Sequence, residues 1–276
     1  MNYILRTSGL VVLMFIVMIC GSSWAEELAP LRKKFKDVKT ISIEQLAAEF
    51  SSFLIVDARS RVEYDIININ GAINVSIANH DFITRLKIAA PDINSKIVFY
   101  CNGYTCSKSY RAARKAKRDG GHDNVYALDA GIFLWGTAFP NKTSLLGETP
   151  LHKSSLISKA EFKSHLLDYK QFKVRANLTD TLVIDIRDYQ QRRSTDGTVL
   201  ELPNMPSLPK SRDLKMNFDL ARKNLENSRF KDKQLLIYDA AGKQIKWLHY
   251  ILKINGYKKF YFLKGGVYGV TNLVHI

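Results

Sequence analysis

Short runs of β-branched and aromatic residues alternate along this chain with longer stretches whose apolar positions recur at helical spacing. "FLIVDA" (53–58), "KIVFYC" (96–101) and "NVYALD" (124–129) are brief, apolar and bounded by polar residues. That is the pattern of strands buried on both faces. "SYRAARKAKRDGG" (109–121) predicts a helix that stops at Gly120–Gly121, with Lys and Arg favourably placed near its C-terminal end. Alternating strands and helices predict an α/β architecture, a sheet with helices on its faces.

The pattern is then repeated. "ISIEQLAAEF" from Ile41 is echoed by "ISKAEFKSHL" from Ile157, and "LIVDAR" from Leu54 by "LVIDIR" from Leu182. "IVFYCNGYTC" from Ile97 returns as "LLIYDAAGKQ" from Leu235, and "GGHDNVYALDAGIFLWG" from Gly120 as "NGYKKFYFLKGGVYGV" from Asn255. Four echoes in one order, with a period beyond a hundred residues, mean tandem domains rather than a solenoid. The domains are placed at 41–140 and 156–276. Residues 141–155, rich in Gly, Pro, Ser and Thr, read as a linker, and 26–40 as a charged, extended arm. "DGTVLELPNMPSLPK" (196–210) carries three prolines and predicts a long irregular loop in the second domain.

The first 25 residues change the setting. One Arg precedes an apolar run from Leu10 to Cys20 that is shorter than the roughly 20 residues needed to span a bilayer. Ser23-Trp24-Ala25 has the small-x-small form of a cleavage site, so residues 1–25 read as a secretory signal peptide, with an uncleaved anchor as the alternative. Export, most readily to a bacterial periplasm, follows from the signal, and no stable membrane span is expected after cleavage. Loss of Cys20 leaves Cys101 and Cys106, too few for a disulfide framework although a single disulfide is allowed outside the cytosol. The net charge of +15 favours anionic partners, but Lys and Arg are spread along the chain rather than gathered in one tail. Export argues against nucleic acid.

The first repeat resembles the rhodanese superfamily. "VDARSRVEYDIININGAINV" (56–75) follows the family's D-x-R, E-Y and G-A-I-N elements, with the usual G-H-I-P eroded to "ININ". "IVFYC" places Cys101 where the family keeps its sulfur-carrying cysteine, and "NVYALDAGIFLWG" resembles the strand, glycine turn and Trp that close the domain. The resemblance implies two tandem rhodanese-like domains, each a mainly parallel sheet flanked by helices. It covers most of residues 40–140 and is weaker over 155–276. There the cysteine position holds Asp239, so the second domain is read as degenerate and non-catalytic. Familiar tandem members are catalytic in the C-terminal domain, and the order here is reversed.

The chemistry the resemblance implies is sulfur transfer. Cys101, leaving a strand just before a helix, would lie among converging backbone N–H groups that favour an anion and a thiolate. Its thiolate would take sulfane sulfur from a small sulfur-containing anion, thiosulfate or polysulfide, and pass it as a persulfide to a thiol-bearing acceptor. Asn102, Gly103, Tyr104, Thr105, Ser107 and Lys108 form the expected substrate-binding loop, with Lys108 attracting the donor. Asp57 and Arg59 are expected to brace the wall, and Ser109 to cap the following helix. If Lys108-Ser109 stands where the family has Arg-Ser, the loop is two residues longer than usual. Cys106 has three open readings: a resolving thiol, a disulfide partner of Cys101 met by a reducing protein, or a passive filler of the lengthened loop. Two rival functions stay open with it, an inert scaffold holding a Cys101–Cys106 disulfide and a thiol–disulfide oxidoreductase using that pair. No cofactor is expected. The six histidines show no metal-ligand spacing, so no metal is expected either.

Overall fold

The computed structural model describes residues 29–274. The expected signal peptide lies outside the described residues. The chain divides into two compact units with the boundary between Leu151 and His152.

The N-terminal unit begins with β1 (Lys39–Thr40), α1 (Ile43–Ala48), β2 (Leu54–Asp57), α2 (Arg61–Ile66), β3 (Ile67–Ile69) and β4 (Ile73–Asn74). It continues with α3 (Phe82–Ala89), β5 (Ile97–Tyr100), α4 (Lys108–Gly120), β6 (Val125–Leu128), α5 (Gly131–Ala138) and β7 (Thr143–Leu145). Five strands pair in the order β1-β6-β5-β2-β4, all parallel, with Val56 opposite Phe99 and Phe99 opposite Ala127. Both faces are covered, which is why β5 is apolar at every position and wholly buried. Ala112, Ala113 and Ala116 of α4 pack with Val56, Phe99 and Val125, small side chains that let the helix lie close against the strands. Its C-terminus is closed by Gly121 at φ 81°, whose N–H reaches the Lys117 carbonyl while that of His122 reaches Ala116. The observed helix stops one residue short of the Gly121 that ends the predicted stretch, and α1 and α2 each start with a capping box, Ser42 with Gln45 and Ser60 with Glu63.

The C-terminal unit comprises α6 (Lys159–Ser164), β8 (Leu166–Leu167), α7 (Tyr169–Ala176), β9 (Thr181–Asp185), β10 (Asp213–Lys215), α8 (Phe218–Glu226), β11 (Gln234–Tyr238), α9 (Ile245–Ile254), β12 (Phe260–Leu263) and α10 (Gly266–Val274). Its parallel strands run β10-β9-β11-β12-β8. Read from β8, this is the order of the first sheet strand for strand, so the sequence echoes mark a shared topology. Between Arg193 and Arg212 no helix or strand forms beyond one isolated bridge, matching the expected irregular loop.

Two segments differ from expectation. Most of the expected linker belongs to the first unit: Thr143–Leu145 pairs antiparallel with β3, and Leu151 is buried. Its polar composition hid the need of the apolar Ile67–Ile69 strand for a partner. Nor are the described residues of the expected arm simply extended. Pro30–Lys33 forms a helical turn, the Phe35 ring stacks 5.0 Å from that of Tyr110, and Arg32 pairs with Asp129 at 2.6 Å.

Gly131, at the start of α5, supports the cysteine loop from beneath. Its φ is +67°, and a Cβ there would lie 2.3 Å from the Gly103 nitrogen and 2.6 Å from the Cys101 oxygen. Gly71 has a similar φ of +77° but open space around it. Gly71→Ala is therefore expected to cost about 1–2 kcal/mol, the backbone penalty alone. Gly131→Ala should cost clearly more, because the backbone of the loop must move. Urea unfolding of the two variants measures the difference, and equal losses would remove the support role.

Candidate active site at the carboxyl ends of the central strands

A parallel sheet brings the C-terminal ends of its strands to one edge, and ligand sites of open α/β sheets lie there. In the first unit that edge collects Asp57 from β2, Cys101 after β5 and Asp129 after β6. The segment 102–107 then turns into α4. Cys106 N–H donates to the Gly103 carbonyl at 2.9 Å, folding the loop back on itself, and Ile132 N–H donates to the Cys101 carbonyl at 2.9 Å. Within this turn Cys101 and Cys106 are joined by a disulfide, their Cα atoms 6.2 Å apart. Cys101 is buried, Cys106 half-buried and Thr105 exposed.

The wall beside the loop is ionic. The Arg59 guanidinium donates to both Asp57 carboxylate oxygens, at 2.9 and 2.6 Å, and to the Ile67 carbonyl at 2.6 Å. A further N–H of the same group donates to Asn102 Oδ1 at 3.0 Å. Burial alone would depress the Arg59 pKa, but the adjoining Asp57 carboxylate outweighs it and holds the guanidinium above its ordinary value. The Asn102 amide donates in turn to Glu63 Oε1 at 2.8 Å, while Glu63 Oε2 accepts from Lys108 at 2.9 Å and from the Ser60 hydroxyl at 2.9 Å. Asn102 is thus gripped from both sides, and the first residue of the loop is fixed by charge.

Several sequence expectations change at this point. Lys108 does not present a free charge to a donor, because it is ion-paired to Glu63. Ser109 does not cap α4. It lies inside the first turn, buried, with its hydroxyl without a hydrogen-bond partner, and the cap position is Ser107, whose side chain makes no capping bond. The loop is one residue longer than its counterpart in the second unit, 102–107 against 240–244, and most of the longer Cys101–Gly121 spacing resides in the helix, 13 residues against 10. Asp57 and Arg59 stand beside the loop, joined to one another and, through Arg59, to Asn102. Gly103 and Tyr104 lie partly exposed along the loop with Thr105 at its outer edge. Among the described residues no group of three or more His, Cys, Asp or Glu is placed to hold a metal ion, and no helix is long and apolar enough to cross a membrane. Glu63 was missed, although Ser60-x-x-Glu63 is a legible capping box. Its second role, holding Asn102 and Lys108, needed the fold.

The second unit repeats the wall with a different centre. Arg187 donates to the Asp185 carboxylate at 2.9 Å, both buried. Asp239 takes the cysteine position, and its carboxylate accepts the N–H groups of Gly242, Gln244 (2.6 Å) and Ile245 (3.3 Å). The loop amides that would hold a bound anion are here occupied by the protein's own carboxylate. Gly266 passes beneath this loop as Gly131 does beneath the other, a Cβ there falling 2.5 Å from the Asp239 carbonyl oxygen.

Burial would raise the Glu63 carboxyl, but the Asn102 hydrogen bond and the Lys108 charge outweigh it and hold the group at about 2 instead of 4.5. A depressed carboxylate contributes stability that is fully present above its unfolded value and is lost as pH falls through the folded one. The stability advantage of wild type over Glu63→Gln should therefore hold above about pH 5 and shrink between pH 4.5 and 2. Urea unfolding at stepped pH measures this, and a pH-independent difference would mean that the charge of Glu63 is not what stabilises the wall.

The family model described as Rhodanese-like domain matches residues 42–138. A curated relative, thiosulfate sulfurtransferase GlpE of Pseudomonas entomophila, is 30% identical over 112 residues, which cover 39% of this chain and 94% of the relative. Among solved structures, thiosulfate sulfurtransferase from Pseudomonas aeruginosa is similar over 89% of this chain and 67% of its own, at 15% identity and a TM-score of 0.38. A Rhodanese-like domain from Anabaena sp. is similar over 41% of this chain and 85% of its own, at 23% identity and a TM-score of 0.34. With a family match over the cysteine-bearing unit and a relative covered almost end to end, the chain belongs to the rhodanese-like family.

Proposed function

We propose that this protein is an exported sulfurtransferase or sulfur carrier whose N-terminal unit works through Cys101. The observation that carries the reading is the place of Cys101, at the carboxyl end of the central strand in a loop that leads into a helix N-terminus. The curated relative, named a thiosulfate sulfurtransferase, supports thiosulfate as the donor class. Once the disulfide is opened, the Cys101 thiolate attacks the outer sulfur of thiosulfate, sulfite leaves with the electron pair of the broken S–S bond, and Cys101 holds a persulfide. A thiol acceptor then takes the outer sulfur. The signal-like sequence of residues 1–25 supports export, to a periplasm, where a disulfide is at home. The second unit has no sulfur at the matching position and is proposed to be inert.

The disulfide favours a second reading, a thiol–disulfide oxidoreductase in which both cysteines carry the redox change. Substitution separates the two. Under sulfur transfer, Cys101→Ser abolishes persulfide formation from thiosulfate and Cys106→Ser, assayed with a thiol acceptor, retains it. Under the oxidoreductase reading both variants are inactive in reducing or oxidising a dithiol substrate, and neither wild type nor Cys106→Ser gains sulfur. Intact mass after thiosulfate treatment of the reduced proteins decides between them.

A further inference from the structure

We propose that Cys106 resolves the Cys101 persulfide and releases its outer sulfur as hydrosulfide, so that the N-terminal unit reduces sulfane sulfur as well as carrying it. The inference rests on the persulfide reading above. It is drawn from the loop itself. The Cα separation of 6.2 Å lies within the range that a disulfide spans without backbone movement, and the Cys106-to-Gly103 hydrogen bond holds the turn that brings the two residues together. The contacts that fix this turn do not involve the cysteine sulfurs. Asn102 is held by Arg59 and Glu63, and the Cys101 carbonyl by Ile132. Opening the disulfide therefore leaves the two sulfurs facing one another.

The chemistry balances without an added oxidant. In the first step Cys101 thiolate and thiosulfate give the Cys101 persulfide and sulfite. In the second, Cys106 loses its proton to solvent and its thiolate attacks Cys101 Sγ. The bond between Sγ and the outer sulfur breaks, its electron pair leaves with the outer sulfur as hydrosulfide, and the Cys101–Cys106 bond forms. Two electrons pass from the cysteine pair to the sulfane sulfur, which is the oxidant. A dithiol reductant must then restore the pair. Because Cys101 is buried and Cys106 is partly exposed beside the exposed Thr105, the reductant attacks Cys106 and expels Cys101 as the leaving thiolate. Reduction thus frees the residue that must next attack a donor.

The test uses the reduced full-length mature protein, without oxygen and without free thiol, mixed with thiosulfate, with sulfide and intact mass followed together. Wild type is expected to release one hydrosulfide per chain and to finish two hydrogens below the dithiol, while a sample without thiosulfate stays reduced. Cys106→Ser, with Cys106→Ala as a second variant, is expected to stop one sulfur atom heavier and release no sulfide. A wild type that stops as a stable persulfide overturns the resolving role and leaves the sulfurtransferase reading standing. Failure of wild type and both Cys106 variants to gain or release sulfur overturns that reading as well. For the return step, oxidised wild type is treated briefly with 2-mercaptoethanol, quenched in acid and mapped by peptide mass. An adduct on Cys106 is expected, and an adduct on Cys101 would reverse the proposed direction of attack.

Discussion

A guanidinium with no access to water is the constraint on which the N-terminal unit depends. Arg59 and Asp57 are both wholly buried, and removing either partner of such a pair typically costs about 3–5 kcal/mol because the survivor keeps an uncompensated charge. Two further donor directions of the guanidinium are directed at definite partners. One bond goes to the carbonyl of Ile67, where the antiparallel ribbon begins, and one to Asn102, where the cysteine loop begins. A single ion pair at the end of β2 thereby sets the relative positions of two segments far apart in sequence. Glu63 completes the arrangement by accepting from the other side of Asn102 and neutralising Lys108. The loop's shape is imposed by its surroundings, and the cysteines inherit it.

The second unit shows what the fold keeps when the sulfur is gone. Its strand order, its buried Asp–Arg pair and the glycine beneath the loop are all retained. The difference lies in one residue, Asp239, whose carboxylate takes up the amides of its own loop. In the first unit the equivalent residue is bonded to Cys106 instead. Each loop is closed on itself, one by hydrogen bonds to a carboxylate of its own chain, the other by a bond that a reductant can open.

Much of this was legible in the sequence, for physical reasons that differ by element. Strands such as Ile97–Tyr100 are buried on both faces and so appear as unbroken apolar runs, and α4 announces its end through Gly121. The repeat identified the second sheet even where its signature had faded. What escaped notice depended on distant partners. Thr143–Leu145 reads as polar linker until Ile67–Ile69 is seen to require an edge, and Phe35 reads as part of a charged arm until Tyr110 offers it a ring. Lys108 looked available because its partner Glu63 is 45 residues away. Ser109 looked like a cap because the extra spacing was assigned to the loop, whereas most of it lengthens the helix.

The carboxylate of Asp239 has a consequence for how the two halves respond to their medium. The amides of Gly242, Gln244 and Ile245 are satisfied from within, so they are not open to an anion from solution. The N-terminal loop is closed instead by the bond between Cys101 and Cys106. A reductant can therefore change the covalent state of one loop, while its counterpart of the same topology contains no bond that thiols exchange.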